Sequence, residues 1–306
     1  MLVGISGGTG LIGVRLVHAL LKRGDSVRVF SRQKRVPEVL RFPGVEFVSS
    51  PIPKPFDWEG LDAFVNLAGE SLAGVRWTEE SKKKFWTSRV DHTSSIVNSF
   101  LSTNEQRDKL KVFIQASAVG YYGSGHSTSS ILDEGSPPCG DGYLSLLAKA
   151  WEEAILPLKS SVRVAIVRIG IVLDPRGGAL GKLIPVFKAF LGGPIASGEQ
   201  GMSWIHYKDL VGIFLHILDR PELAGVFNGT SPNPVTNRVF SRTLAEVLNR
   251  PSFVGTPAFP LQVAFGEGAK VLTEGQFVYP RRTIESGYLF LFPELRPALQ
   301  NLINEF

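Results

Sequence analysis

Apolar and polar positions fall into blocks whose period changes along the chain. Residues 1–6 are a short apolar run that stops at Gly7-Gly8-Thr9-Gly10, which predicts a buried strand ending in a glycine turn. Residues 11–23 then carry Leu11, Ile12, Leu16, Val17, Leu20 and Leu21 at helical spacing, and Gly24 stands where a C-terminal cap belongs. The same reading predicts strands at 27–30, 45–48, 63–67, 111–116 and 163–169, and helices at about 79–101, 142–156, 208–218 and 237–248. Strands alternating with helices predict an α/β fold, a doubly wound parallel sheet covered on both faces. From about residue 171 the alternation weakens and glycines and prolines thicken. A core over 1–170 is expected, with 205–230 returning to it, and a smaller substrate lobe over 171–306 interleaved with it.

The first turn carries the chemistry. Gly7, Gly10 and Gly13 fit G-x-x-G-x-x-G, and Gly8, Gly10 and Gly13 fit G-x-G-x-x-G. The motif lies between a strand and a helix, the context a dinucleotide site demands: glycines let the backbone approach a pyrophosphate, and the helix N-terminus offers free N–H groups. A nicotinamide dinucleotide cofactor on a Rossmann fold is therefore expected, with Gly7, Thr9, Gly10, Leu11, Ile12 and Gly13 around the pyrophosphate. Two overlapping patterns are rejected. Gly4-x-Ser6-x-Gly8 lacks the preceding sheet of a hydrolase nucleophile elbow, and Val14 stands where a phosphate loop needs Lys. The end of the second strand selects the cofactor. An NAD site places a carboxylate about 20 residues on, to hold the ribose 2′-hydroxyl. Here Ser31-Arg32-Gln33-Lys34-Arg35 follows Phe30, with no acid before Glu38. Ser31 and Arg32 suit a 2′-phosphate, so NADP is the expected cofactor.

Composition and charge narrow the classes. The chain has 306 residues, a formal charge of +5, one cysteine and five histidines. A lone Cys139 excludes an intramolecular disulfide and has no neighbouring cation to activate it, and the scattered histidines exclude a structural zinc site, so no metal is expected. No apolar run approaches the roughly 18 residues of a membrane helix and no leader segment is evident, which points to a cytoplasmic setting without a membrane partner. Residues 1–41 hold eight bases against two acids. This local excess, without aromatic interleaving, speaks for one small polyanion, NADP, over nucleic acid. The expected partner is a small-molecule substrate, and a homodimer is the candidate assembly.

Further segments carry a resemblance. Asn66-Leu67-Ala68-Gly69 resembles the Asn-x-Ala-Gly segment of extended short-chain dehydrogenases/reductases, and Ser117 resembles their catalytic Ser. Thr87-Ser88-Arg89-Val90, Tyr121-Tyr122-Gly123, Arg168-x-Gly170, Gly177-Gly178-Ala179-Leu180, Ser203-Trp204-Ile205-His206 and Pro234-Val235-Thr236-Asn237 are similar to one atypical group. That group is the epimerase-like family (sugar-nucleotide epimerase or cell-division-inhibitor-like) with a C-terminal domain of unknown function. The resemblance spans essentially the whole chain. It implies an NADP-binding Rossmann fold in which Gly7 to Gly13, Ser31, Arg32, Asn66, Leu67, Ala68, Gly69 and Arg89 form the cofactor site.

Catalysis departs from the superfamily pattern, which pairs Tyr with a Lys one helical turn later to lower the phenol pKa. Four residues after Tyr143 stands Leu147. Lys149 points about 240° around the helix from Tyr143. The candidate catalytic residues are thus Ser117, Tyr122 and Tyr143; the alternatives are a cofactor-pocket hydrogen bond for Ser117, a pocket wall for Tyr122 and helix packing for Tyr143. Trp77, Trp86, His206 and Asp209 read as structural. Two functions follow: an NADP-dependent oxidoreductase or epimerase-like enzyme acting on a carbonyl, carbinol or sugar-nucleotide-like substrate, or a non-catalytic NADP-binding sensor or partner-binding protein.

Overall fold

The computed structural model describes residues 1–49, 57–103, 110–124, 131–138 and 142–305. Cys139, the whole proline-rich stretch 51–55 and parts of the loop 123–142 lie outside the described residues.

The first unit is β1 (Leu2–Ser6), α1 (Leu11–Lys22), β2 (Ser26–Ser31), β3 (Val45–Ser49) and β4 (Ala63–Asn66). It continues through α2 (Glu79–Trp86), α3 (His92–Ser102), β5 (Val112–Ala118), β6 (Ile131–Leu132), α4 (Tyr143–Glu153) and β7 (Arg163–Ile169). The rest comprises β8 (Ile171–Asp174), α5 (Gly178–Lys188), β9 (Gly201–Met202), β10 (Trp204–His206), α6 (Tyr207–Asp219), β11 (Gly225–Gly229) and β12 (Val235–Thr236). Then follow α7 (Asn237–Val247), α8 (Ala258–Phe265), α9 (Lys270–Thr273), β13 (Phe277–Val278), α10 (Arg281–Glu285) and α11 (Leu295–Asn304).

A seven-stranded sheet runs in the order β11-β7-β5-β4-β1-β2-β3, and each of its pairings is parallel. Period two divides its side chains between two cores. Val3, Ile5, Ala63, Val65, Ile114 and Val167 meet α1 and α6 on one face. Phe64, Phe113, Val164 and Ile166 meet Ile96, Val97 and Phe100 of α3 on the other. Both faces are covered, which is why the strands read as continuous apolar runs. Chain order reverses between β1 and β4, so the crevice beyond their carboxyl ends is the topological switch point where ligands bind in such sheets.

β11 closes the sheet at β7, and α6 packs on α1. A separate apolar core joins Leu173, Leu180, Phe187 and Trp204 to Phe240 and Leu244 of α7 and to Leu299 and Leu302 of α11. No helix among the described residues is long and apolar enough to cross a membrane.

Three expectations are corrected. The helix foreseen over 79–101 is broken: α2 and α3 are joined by a π-helical turn at Thr87–Asp91. Trp86 was expected to pack but is 38% exposed, whereas Trp77 is buried against Phe85. The basic N-terminal excess is partly answered within the chain: Arg15 pairs with buried Asp174 at 2.7 Å, Arg23 with Asp219 at 2.7 Å and Arg28 with Glu46 at 2.6 Å. Those charges hold α1 and β2 to neighbouring elements. Asp209, in the first turn of α6, has the expected structural role. Its buried carboxylate accepts from the Leu291 and Phe292 amides, at 2.7 and 2.9 Å, and from the Tyr288 hydroxyl, anchoring the C-terminal segment to α6.

Candidate functional site

The glycine turn is shaped by contacts no other residue allows. Gly7 has φ +80, the left-handed region, and a Cβ there would lie 2.6 Å from the Leu67 carbonyl carbon. A Cβ at Gly13 would lie 2.3 Å from the Gly7 carbonyl oxygen, so α1 packs directly on the turn. At Gly10 the nearest atom to a Cβ would be the Gly7 oxygen at 3.3 Å, and Gly10 borders open space on both sides of the turn. Gly10 is also the N-cap of α1, and no side chain caps the helix. Its first N–H groups and the positive end of its dipole stay available to an anion.

Two chambers meet at this turn, sharing Gly7, Gly10, Leu67 and Gly69. The larger has a volume of about 610 Å³ and runs over Thr9, Ser31 and Arg32 towards α2, where Lys83, Lys84, Thr87 and Ser88 line it. The smaller, about 360 Å³, is bounded by Leu11, Ile12, Arg89, Ser117, Leu144 and Trp151. An elongated ligand with a central pyrophosphate fits this pair: β2 residues would hold one half, the start of α1 the middle, and residues at the end of β5 would border the other half. The residues fit a nicotinamide dinucleotide.

Most of the expected cofactor residues therefore come together. Gly7, Thr9, Gly10, Ser31, Arg32, Leu67, Ala68 and Gly69 line the first chamber, and Leu11, Ile12, Gly13 and Arg89 the second. Asn66 differs. It is fully buried beneath the site, donating to Thr93 Oγ1 and Gln115 Oε1, each at 3.0 Å, and accepting from the Ala68 amide at 3.3 Å. It shapes the Leu67-Ala68-Gly69 turn from behind and does not line either chamber.

Arg89 lies on the π-helical turn, and its guanidinium crosses Gly69, where a Cβ would come within 3.0 Å of Cζ. That close approach is a second reason for glycine in this segment. Nη2 donates to the Glu70 carbonyl at 2.8 Å, and Cζ stands 5.2 Å from the Trp151 ring centre. Burial pushes its pKa down to about 10, so it stays cationic at neutral pH. Its positive charge faces the chamber beside Leu72 and Ser117. Arg32, by contrast, is largely exposed and ion-paired with Glu70 at 2.7 Å.

The catalytic candidates separate. Ser117 ends β5 and borders the second chamber. Its hydroxyl donates to Glu152 Oε1 at 2.7 Å. Glu152 is held in turn by Arg168, through Nε at 2.8 Å and Nη2 at 2.8 Å, all three side chains being buried. Burial works against the Arg168 charge, but the Glu152 carboxylate more than offsets it and lifts the guanidinium pKa above its ordinary value. Tyr122 is fully buried behind this network, donating to Asn228 Oδ1 at 2.8 Å and accepting from Arg168 Nη1 at 3.0 Å. Burial pushes its phenol up to about 12. Tyr143 packs edge-on against Trp77, and its hydroxyl donates to the Lys82 carbonyl at 2.6 Å. Neither phenol lines either chamber, so the structure does not bring the two expected tyrosines to the cleft beside Ser117. Their hydroxyls are committed to internal hydrogen bonds that a buried polar group must make.

Glu152, Arg168 and the α2 lysines were not foreseen as site residues. Glu152 could have been noticed as an acid four and eight residues after Ala148 and Leu144, which line the second chamber. Ser6 and His92 also meet at the floor of the first chamber, Oγ to Nε2 at 2.8 Å. His92 is buried and its pKa is pushed down to about 4, chiefly by burial and then by the charge of Arg32. His206 is a structural residue: Nδ1 accepts from the Lys208 amide at 3.0 Å and Nε2 meets Asn301 at 3.2 Å.

Comparison with known proteins agrees with this geometry. Residues 3–228 match the model of the NAD dependent epimerase/dehydratase family, and residues 256–302 match a domain of unknown function, DUF1731. The chain is 40% identical over 307 residues to the chloroplastic epimerase family protein SDR39U1 homolog of Arabidopsis thaliana, covering 99% of this chain and 87% of that one. It is 33% identical to the epimerase family protein YfhF of Bacillus subtilis, covering 99% and 98%. The crystal structure of human epimerase family protein SDR39U1 (isoform 2) with NADPH superposes with a TM-score of 0.88 at 35% identity, over 100% of both chains. The chain thus belongs to the NAD dependent epimerase/dehydratase family, as an SDR39U1-like member with a C-terminal DUF1731 domain.

Proposed function

We propose that the protein is an NADP(H)-dependent oxidoreductase or epimerase-like enzyme acting on a small carbonyl, carbinol or sugar-nucleotide-like substrate. The observation that carries this reading is the continuous pair of chambers, with Arg32 in one and the Ser117 hydroxyl in the other, joined at the uncapped N-terminus of α1. The human relative solved with NADPH supports the same cofactor. Gly7 to Gly13, Leu67 to Gly69 and Arg89 would hold the dinucleotide, and Ser31 and Arg32 its 2′-phosphate. When bound, the nicotinamide supplies or accepts a hydride.

The chain's own residues would handle the oxygen of the substrate. Because Ser117 donates its proton to Glu152, its lone pairs are left to accept a hydrogen bond from a carbinol hydroxyl. Arg168 fixes the Glu152 carboxylate and so the direction of the Ser117 O–H. Arg89 provides a fixed positive charge beside the same chamber. The apolar walls at Leu72, Leu144 and Trp151 limit water there.

A second reading, a non-catalytic NADP(H)-binding sensor, is favoured by one observation: the Tyr122 and Tyr143 phenols are both engaged internally. The two readings part in one experiment. Purified protein with NADPH and a panel of carbonyl compounds is followed by loss of absorbance, alongside titration with NADPH and NADH. The enzyme reading expects turnover that falls at least about a hundredfold in Ser117→Ala, with NADPH affinity retained. Tight NADPH binding without turnover of any compound leaves the sensor. Equal affinity for NADPH and NADH, or no loss of NADPH binding in Arg32→Asp, refutes the NADP assignment.

A further inference from the structure

The larger chamber holds more charge than the sequence motif at Ser31-Arg32 accounts for. Arg32, Lys83 and Lys84 line it, together with Glu70 and Glu80. The charges are mostly paired off: Arg32 with Glu70 at 2.7 Å and Lys84 with Glu80 at 2.7 Å. Lys84 also feels the Glu70 carboxylate, which ties the two banks of the chamber together electrostatically. Lys82, two residues before Lys84, is engaged by Glu79 and Glu267. Lys83 forms no ion pair among the described residues, so it leaves the chamber with one uncompensated positive charge.

A ribose 2′-phosphate carries a charge of about −2. Arg32 alone, already answered by Glu70, would present it with little net charge. We infer that Lys83, on the first chamber's α2 side, is a second cation for the 2′-phosphate and sets the preference for NADPH over NADH jointly with Arg32. This rests on the NADP reading above and extends it to a residue on a different element. The arrangement explains the Arg32–Glu70 pair: the incoming phosphate competes with Glu70 for Arg32, and Lys83 supplies the charge that tips the exchange. α2 is fixed for this task. Thr78 caps its N-terminus, accepting from the Ser81 amide at 3.2 Å, and Phe85 anchors its other face.

The test measures dissociation constants for NADPH and NADH by nicotinamide fluorescence in the full-length protein and in Lys83→Gln, Lys83→Arg and Lys84→Gln. A charge-assisted contact of this kind is worth roughly tenfold or more in affinity. Lys83→Gln is expected to weaken NADPH about tenfold and leave NADH unchanged. Lys83→Arg is expected to keep the preference, and Lys84→Gln to lose less than Lys83→Gln. Equal weakening of both cofactors in Lys83→Gln overturns the inference, as does an unchanged NADPH affinity or a larger loss in Lys84→Gln. A wild-type protein that binds both cofactors equally defeats the NADP reading itself, before any variant is compared.

Discussion

Gly13 leaves no room for one added carbon. Its Cβ would sit 2.3 Å from the Gly7 oxygen and 2.6 Å from the Gly8 Cα, both backbone atoms of the turn that must hold the pyrophosphate. Gly13→Ala is expected to destabilise the fold by at least ~2 kcal/mol and to abolish measurable NADPH binding, read by denaturant unfolding and fluorescence titration. A variant with wild-type stability and affinity would refute the close-packed turn. Gly69 differs in degree, because the atom 3.0 Å from its Cβ would be the movable end of the Arg89 side chain and not backbone. These glycines were legible as a motif; that one is filled by backbone and the other by a guanidinium was not.

Between elements, the buried Arg168–Glu152 pair joins β7 to α4 and positions Ser117 on β5. Neither side chain can leave alone, because the survivor would be a buried, unanswered charge. Arg168→Leu is expected to cost about 3–5 kcal/mol, and the paired change Arg168→Leu with Glu152→Leu appreciably less. Additive losses in a double-mutant cycle by urea unfolding would contradict the coupling. The broken helix belongs to this scale as well. Residues 79–101 have a nearly continuous helical pattern, so the π-turn at Thr87–Asp91 leaves no signal in periodicity. It accommodates the docking of Arg89 over Gly69, a contact between segments about 20 residues apart.

Across the whole molecule, acid should loosen the fold through two distant histidines. Burial lowers the pKa of His92, in α3 beside the larger chamber, and of His206, before α6, each to about 4. In the unfolded chain both titrate near 6.5. The unfolded state therefore binds more protons between those values, so stability is unaffected above about pH 7 and falls progressively as pH drops from 6.5 to 4. The loss is up to about 3 kcal/mol for each histidine. Thermal unfolding at pH 7.5, 6 and 4.5 should show the midpoint falling over this window, with a shallower fall in His206→Gln. A pH-independent midpoint would contradict buried neutral imidazoles. The tertiary fold also redistributes charge: Arg15, Arg23 and Arg28 bind carboxylates that lie far off in sequence or on the next strand, so the basic N-terminus is only partly a cofactor signal.

By itself the sequence determined the parallel sheet, the dinucleotide turn, the absence of a Tyr-x-x-x-Lys pair and the basic residue after β2. All of these depend on local period, glycine placement or near neighbours, which a linear chain displays. The tertiary structure decided the rest. It withdrew Tyr122 and Tyr143 from the cleft, because buried hydroxyls take the nearest acceptors and those lie 106 and 61 residues away. It gave Ser117 a carboxylate partner 35 residues on and set Lys83 of α2 on the wall of the chamber that β2 also lines. Side-chain function in this site depends on which distant residue completes each hydrogen bond or balances each charge, and only packing of the sheet against its helices and the C-terminal segment fixes that choice.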